Sequence, residues 1–225
     1  MGAVVNSVVV LVGSLVGLFM GQRIPERINK TLMQGIALVV LSIGITGILQ
    51  GGDSMIMILS MVVGILIGEG IDFNAYVNRF VEWLSAKFER GGTQSTFSQG
   101  FLSASMLFCI GSMAIVGSLE SGLLGDNSTL YTKSVLDGIS AILLSSTLGI
   151  GVAFSSVPLF IYQGGLILFA QFLAPFLKDA VIIEMTTIGS LLLIAMGLNM
   201  LDITDIKVMN FVPAVFLPIL FMAIF

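Results

Sequence analysis

The feature of this sequence that most constrains the fold is a succession of uncharged apolar runs, each roughly 20 residues long and separated by short breaks. A helix of that length crosses a hydrocarbon layer of about 30 Å, because each residue adds about 1.5 Å. Only 10% of the 225 residues are charged, whereas soluble domains carry about 25%. The sequence therefore predicts an all-α, polytopic integral membrane helical bundle.

Hydropathy and helix-breaking residues divide this single transmembrane domain, residues 1–225, into eight predicted transmembrane helices. The predicted spans are 3–21, 32–50, 54–70, 99–119, 132–154, 158–176, 180–198 and 208–225. Segment 73–91 is too charged to cross, but its apolar residues recur on one helical face. It predicts an amphipathic helix in the membrane interface, the alternative being a solvated helix that packs on a partner domain.

The distribution of lysine and arginine predicts the orientation of the chain. With the N-terminus outside, seven of these residues fall in inside loops and two in outside loops. Positive residues concentrate on the cytoplasmic side of membrane proteins, so both termini are predicted to lie outside. The short uncharged stretch 155–158 is compatible with either a turn or a re-entrant break.

Two sequence matches at nearly the same offset indicate an internal repeat. Val12–Leu15 recurs as Val116–Leu119, and Lys30–Leu38 resembles Lys133–Ala141. The second copy begins three spans after the first, and this odd shift inverts it in the membrane, as in many secondary transporters. The alternative is a chance match between apolar segments. The predicted organisation is repeat A at 1–72, the interfacial helix at 73–91, repeat B at 98–176 and additional spans at 177–225.

Asp137 is the most informative acidic residue, because a carboxylate in the middle of a transmembrane helix costs about 2.5–3.5 kcal/mol to insert. Its partner in the repeat is Gln34, which is also polar and one turn into its predicted span. Both are candidates for an ion or substrate path. The alternative is an acid near a helix start, favoured by the helix dipole and paired with Lys133 four residues earlier.

Four further polar residues lie in or beside apolar spans, where uncompensated polar groups seek partners or water. They are Asn6, Gln163, Ser155 and Ser156. The two glycines after Gln163 weaken a helix and could expose backbone carbonyls to a cation, and Gly149, Gly151 and Pro158 indicate a second break. Interhelical hydrogen bonding is the alternative role of each polar residue. Glu184 lies near the start of the seventh span, a position intermediate between an acid that meets water at a span end and one inside the membrane.

Glycines at intervals of four residues indicate close helix packing in two spans. Gly13, Gly17 and Gly21 form such a stripe in the first span, and Gly64 and Gly68 repeat the spacing in the third. Small residues let helix backbones approach one another in the membrane. The stripes serve either packing within one chain or a homo-oligomer interface.

The composition removes several classes of chemistry. The chain has no histidine and one cysteine, Cys109, so neither a disulfide framework nor a histidine or thiolate metal site is expected. No catalytic set and no cofactor motif can be assembled, and we expect a protein that is not an enzyme. The formal charge of −4 is spread along the chain, which does not indicate nucleic acid as a partner.

Several motifs together resemble a known family. They are Met1–Asn6, Leu32–Ile36, the block Gly100–Ser118, Leu136–Gly138, Gly149–Val152 and Tyr162–Gly164. These motifs are similar to those of the bacterial membrane-protein family called domain of unknown function 554, and the resemblance covers nearly the whole chain. It implies a multi-pass protein of the bacterial cytoplasmic membrane and assigns no role to individual residues.

The pattern as a whole favours a transporter or channel for an ion or small solute, with alternating access between two inverted halves. The alternative is a membrane scaffold or interaction protein without transport activity. The expected partners are the lipid bilayer, an ion or small-molecule substrate and a second copy of the chain. A transporter predicts that Asp137, Gln34, Asn6 and Gln163 converge, whereas a scaffold predicts that they scatter.

Overall fold

The computed structural model describes residues 1–21, 26–77, 79, 83 and 94–224, and all regular structure in these residues is helical. The chain forms two compact units. Unit 1 comprises Met1–Ile36, Phe80–Cys109 and Met113–Phe172, and unit 2 comprises Ala37–Arg79, Ile110–Ser112 and Leu173–Phe225. Most of the predicted interfacial helix, segment 73–91, lies outside the described residues.

The helices follow one another in the order α1 Gly2–Gly21, α2 Glu26–Ile48, α3 Ser54–Ile71, α4 Gln94–Cys109, α5 Ser112–Leu124, α6 Ser128–Leu148, α7 Gly151–Phe154, α8 Ser156–Leu168, α9 Ala170–Leu173, α10 Asp179–Met200, the 3-10 helix Val208–Phe216 and α11 Leu217–Ile224. Five stretches of the described residues are long and apolar enough to cross a membrane, namely Gly2–Gly21, Lys30–Ile48, Ser54–Ile71, Gly151–Leu168 and Asp179–Met200. A sixth is formed by Phe97–Cys109 and Met113–Leu124 if this pair, bent by 57°, counts as one span. The chain is thus a helical membrane protein, and eight spans stay a prediction.

In unit 1, the glycine stripe of α1 lies directly against α6. A Cβ on Gly13, Gly17 or Gly21 would come closer than 3.0 Å to a backbone carbonyl oxygen of α6. The contacted residues, Gly138, Ile142 and Ser146, advance along α6 in step with the glycines along α1. The two helices therefore run parallel, at a separation that only residues without a side chain permit.

The boundary between the predicted fifth and sixth spans is wrong. Helix α6 ends at Leu148, and Gly149 adopts a φ of 75°, a left-handed conformation that favours glycine. The break therefore falls inside the predicted span 132–154. Stretch 155–158 belongs instead to the apolar run Gly151–Leu168, which only a turn at Ser155 interrupts.

The glycines that follow Gln163 do not break their helix, contrary to the prediction. Helix α8 continues through Gly164 and Gly165 to Leu168. Their backbone carbonyls are used within the helix or at its end, where the Phe169 N–H donates to the Gly165 oxygen. In hydrocarbon an unmade backbone hydrogen bond costs several kcal/mol, which outweighs the cost of the two glycines, about 1 kcal/mol each.

In unit 2, the two glycines of α3 pack on the C-terminal segment. A Cβ on Gly64 would collide with Ala214, and one on Gly68 would collide with the backbone of Asn210. The contacted residues descend as the glycines ascend, so α3 and the 3-10 helix are antiparallel. Since a 3-10 helix rises about 2.0 Å per residue, its nine residues and the eight of α11 cover about 30 Å.

A buried polar cluster as the candidate functional site

Three helices of unit 1 bring four polar side chains together. Asn6 comes from α1, Lys133 and Asp137 from α6, and Gln163 from α8, and we call these four residues the buried polar cluster. Asn6 Nδ2 donates to Asp137 Oδ2 at 3.0 Å and to Gln163 Oε1 at 3.2 Å. Lys133 Nζ donates to the same Asp137 oxygen at 2.6 Å. Asn6 and Gln163 are completely buried.

Asp137 lies in the middle of α6, not at its start. The helix begins at Ser128, four residues before the predicted span, so Asp137 is about 13 Å along the axis. No acidic residue occupies the first turn of α6. The explanation of Asp137 as an acid favoured by the helix dipole is therefore wrong, because the dipole effect is confined to the first turn. The pairing with Lys133 that the same explanation invoked does exist.

The Lys133–Asp137 ion pair is buried, with 8% and 10% of the two side chains exposed. Taking both charges out of water costs several kcal/mol for each ion, and their mutual attraction offsets this cost only while both are present. The pair is thus a weak source of stability, and the loss of either partner would leave an uncompensated charge.

The charge of Asp137 fixes the orientation of both amides. A carboxylate only accepts hydrogen bonds, so Asn6 must turn its Nδ2 group towards Asp137, and the same group then requires the oxygen of Gln163. As a result, Asn6 Oδ1 and Gln163 Nε2 are buried without a hydrogen-bond partner among the described residues. One is an acceptor and the other a donor, and each costs about 1–3 kcal/mol while unsatisfied.

No hydrogen bond among the described residues joins the other predicted path residues to this cluster. Ser155 and Ser156 are buried, but their hydroxyls donate to carbonyls of the preceding turn, at 2.6 Å to Val152 and 2.7 Å to Ala153. Gln34 is exposed on α2. Three of the four residues predicted to converge, Asn6, Asp137 and Gln163, therefore do so in unit 1, and Gln34 does not join them.

Comparison with known proteins places the chain in a family. The family model described as "Protein of unknown function (DUF554)" matches residues 1–223. The chain belongs to the DUF554 family. The family assignment agrees with the resemblance drawn from the sequence motifs.

Two relatives of this DUF554 protein match it over almost their whole length. "Uncharacterized membrane protein YdfK" of Bacillus subtilis (strain 168) is 34% identical, and the match covers 96% of this chain and 93% of YdfK. "Uncharacterized protein YqgA" of Escherichia coli (strain K12) is 32% identical, with the same two coverages. No solved structure matches the chain.

Unit 2 of the DUF554 chain holds a second polar group that the sequence analysis missed. Glu69 of α3 pairs with Lys207 at 3.0 Å and accepts a hydrogen bond from Asn210 of the 3-10 helix. We call Glu69, Lys207 and Asn210 the exposed triad, because about half of both charged side chains is exposed, 53% and 55%. The hydrogen bond to Glu69 raises the pKa of Lys207. The available signal was Asn210, an amide at the start of an apolar segment.

Proposed function

We propose that this DUF554 protein is a transporter or channel for an ion or small solute and that the buried polar cluster lies on its path. The observation that carries the proposal is the pair of unsatisfied groups, Asn6 Oδ1 and Gln163 Nε2. A buried donor and a buried acceptor in a membrane protein need a polar partner, because hydrocarbon supplies none. Water or a small polar solute that enters the cluster would satisfy both.

Stability alone does not account for this arrangement. Apolar side chains of similar volume often stabilise a protein as well as a buried ion pair does, or better, because they avoid the desolvation cost. The convergence of Asn6, Asp137 and Gln163 on one place is what distinguishes the two functions, and it supports transport. Gln34 is exposed and is not part of the proposed path.

The proposal includes eight crossings. Because α1 and α6 run parallel, an odd number of crossings must separate them, and α2 and α3 supply two. The bent pair α4–α5 then crosses as one broken span, as alternating access between inverted copies 1–72 and 98–176 requires. The excess of lysine and arginine in segments 22–31 and 73–91 supports both termini outside.

Proteoliposomes test the proposed path, with protons, urea and glycerol as probes. Proton entry is followed with an internal pH dye under a potassium diffusion potential, and urea and glycerol entry by light scattering after an osmotic step. We expect at least one flux above that of protein-free vesicles. Gln163→Leu should abolish this flux, because Leu lacks the two N–H donors of Nε2 that a solute could bind.

The matched control is Gln34→Leu, the same substitution at an exposed amide. It should retain the flux of the wild type at equal protein density. Equal flux in Gln163→Leu and Gln34→Leu would exclude the buried polar cluster from the path. Absence of flux for all three probes would favour the scaffold function instead.

A further inference from the structure

Glu184 of α10 is a buried carboxylate within unit 2. It lies five residues after Asp179, about 7.5 Å along the helix, and is 5% exposed. Its Oε1 atom accepts the backbone N–H of Asp53, the residue that caps α3, at 2.5 Å. Its Oε2 atom is buried and has no hydrogen-bond partner among the described residues.

No basic side chain among the described residues forms an ion pair with Glu184. Within the part of the chain that the structure describes, the ion pairs are Lys133–Asp137 and Lys207–Glu69. A buried carboxylate is tolerated when it is paired with a positive charge, because isolated burial of an ion costs far more than one hydrogen bond returns. Glu184 accepts one hydrogen bond, from the backbone N–H of Asp53, but has no positively charged partner among the described residues.

The hydroxyl of Thr187 lies on the same side of Gly52 as the unpaired Oε2 atom of Glu184. Thr187 lies one turn later on α10, and its hydroxyl donates to the Gly51 carbonyl at 3.2 Å, which leaves the hydroxyl lone pairs free. A Cβ on Gly52 would lie 3.0 Å from Glu184 Oε2 and 3.2 Å from Thr187 Oγ1. Two side-chain oxygens thus converge beside a residue that has no side chain to separate them.

We propose that Glu184 Oε2, Thr187 Oγ1 and the Gly51 carbonyl bind a small monovalent cation, with sodium as the representative ion. Hard cations prefer oxygen ligands of this kind, and carbonyls at helix ends coordinate sodium in membrane transporters. One positive charge balances the one unpaired carboxylate.

Thermal unfolding of the detergent-purified full chain tests this site without reference to transport. The midpoint is measured in rising sodium chloride and in choline chloride at the same ionic strength. We expect a saturable rise in sodium and none in choline. Glu184→Gln keeps the oxygen that accepts the Asp53 N–H but removes the charge, so the difference between sodium and choline should disappear.

Two further variants make the result specific. Gly52→Ala keeps every charge but places a methyl group against Oε2, and should raise the half-effective sodium concentration at least about tenfold. Glu69→Gln removes an exposed carboxylate and should leave the sodium effect unchanged.

An identical sodium effect in wild type, Glu184→Gln and Gly52→Ala would overturn the site, as would equal midpoints of the wild type in the two salts. If Glu184→Gln does not fold, Gly52→Ala decides alone. Sodium binding in a chain that moves no solute would leave this site standing while overturning the proposed function.

Discussion

The buried polar cluster and the exposed triad use the same chemistry in different surroundings. Each contains a lysine, a carboxylate and a completely buried asparagine whose Nδ2 group donates to the carboxylate. In the exposed triad the Asn210 oxygen also accepts the backbone N–H of Asn74, at 2.6 Å. In the buried polar cluster the corresponding oxygen of Asn6 has no partner among the described residues.

This difference separates a structural contact from a candidate functional one. The exposed triad is closed, because its asparagine is satisfied at both ends and water reaches its charges. The buried polar cluster is open, because it holds a costly ion pair together with a donor and an acceptor that nothing in the described chain satisfies. A lysine, a carboxylate and an asparagine therefore form a satisfied contact in one unit and an unsatisfied one in the other.

The largest expected effect comes from removing one lysine from each group. Lys133→Met leaves Asp137 buried without its counter-charge and should lower the free energy of unfolding by about 3–5 kcal/mol. Lys207→Met should have a much smaller effect, because water solvates Glu69. Unfolding in mixed micelles with increasing SDS measures both. Equal losses would mean that burial does not distinguish the two pairs.

Removing both charges should reverse the first effect. In Lys133→Met with Asp137→Leu, no buried charge is left unpaired, so most of the about 3–5 kcal/mol should return. The double variant should nevertheless lack the flux of the wild type, because it has lost the groups that orient Asn6. A double variant as unstable as Lys133→Met would show that the cluster contributes packing and not only charge balance.

Smaller losses are expected from the glycines that hold each group in place. Gly17→Ala would force α1 away from α6, and Gly68→Ala would displace Asn210, so each should cost about 1–3 kcal/mol in the same unfolding assay. The control is Gly35→Ala, since a Cβ at Gly35 meets nothing within 4 Å. Gly35→Ala should be neutral or stabilising, and a loss equal to that of Gly17→Ala would contradict the packing argument.

The smallest effect concerns pH and the exposed triad. The hydrogen bond to Glu69 raises the pKa of Lys207. The Lys207–Glu69 pair therefore stabilises the fold fully below the ordinary lysine pKa of about 10.4, and this stabilisation is lost as the pH rises through the raised pKa of Lys207. The difference in thermal midpoint between wild type and Lys207→Met should therefore stay constant up to about pH 9 and shrink as the pH rises above about 10. A difference that grows with pH would have the wrong sign.

Local sequence was sufficient for the membrane class and for the positions of close packing. Apolar runs and low charge predict membrane helices because both depend only on neighbouring residues. Glycines at intervals of four lie on one helical face, and Gly13, Gly17 and Gly21 indeed face another helix. The start of α6 could not be predicted, because its first turn, residues 128–131, mixes polar and apolar side chains and has no clear hydropathy signal. This earlier start moved Asp137 from a helix start to a helix centre.

The association of the polar residues was decided by tertiary structure alone. Gln34 and Gln163 are both amides inside predicted spans, yet one is exposed and the other is completely buried against Asn6. In a soluble helix an apolar stripe would reveal which face turns inwards. Lipid is as apolar as the protein interior, so hydropathy does not record how a membrane helix is rotated about its axis. The sequence thus determined which residues are costly in the membrane, and helix packing determined which of them meet.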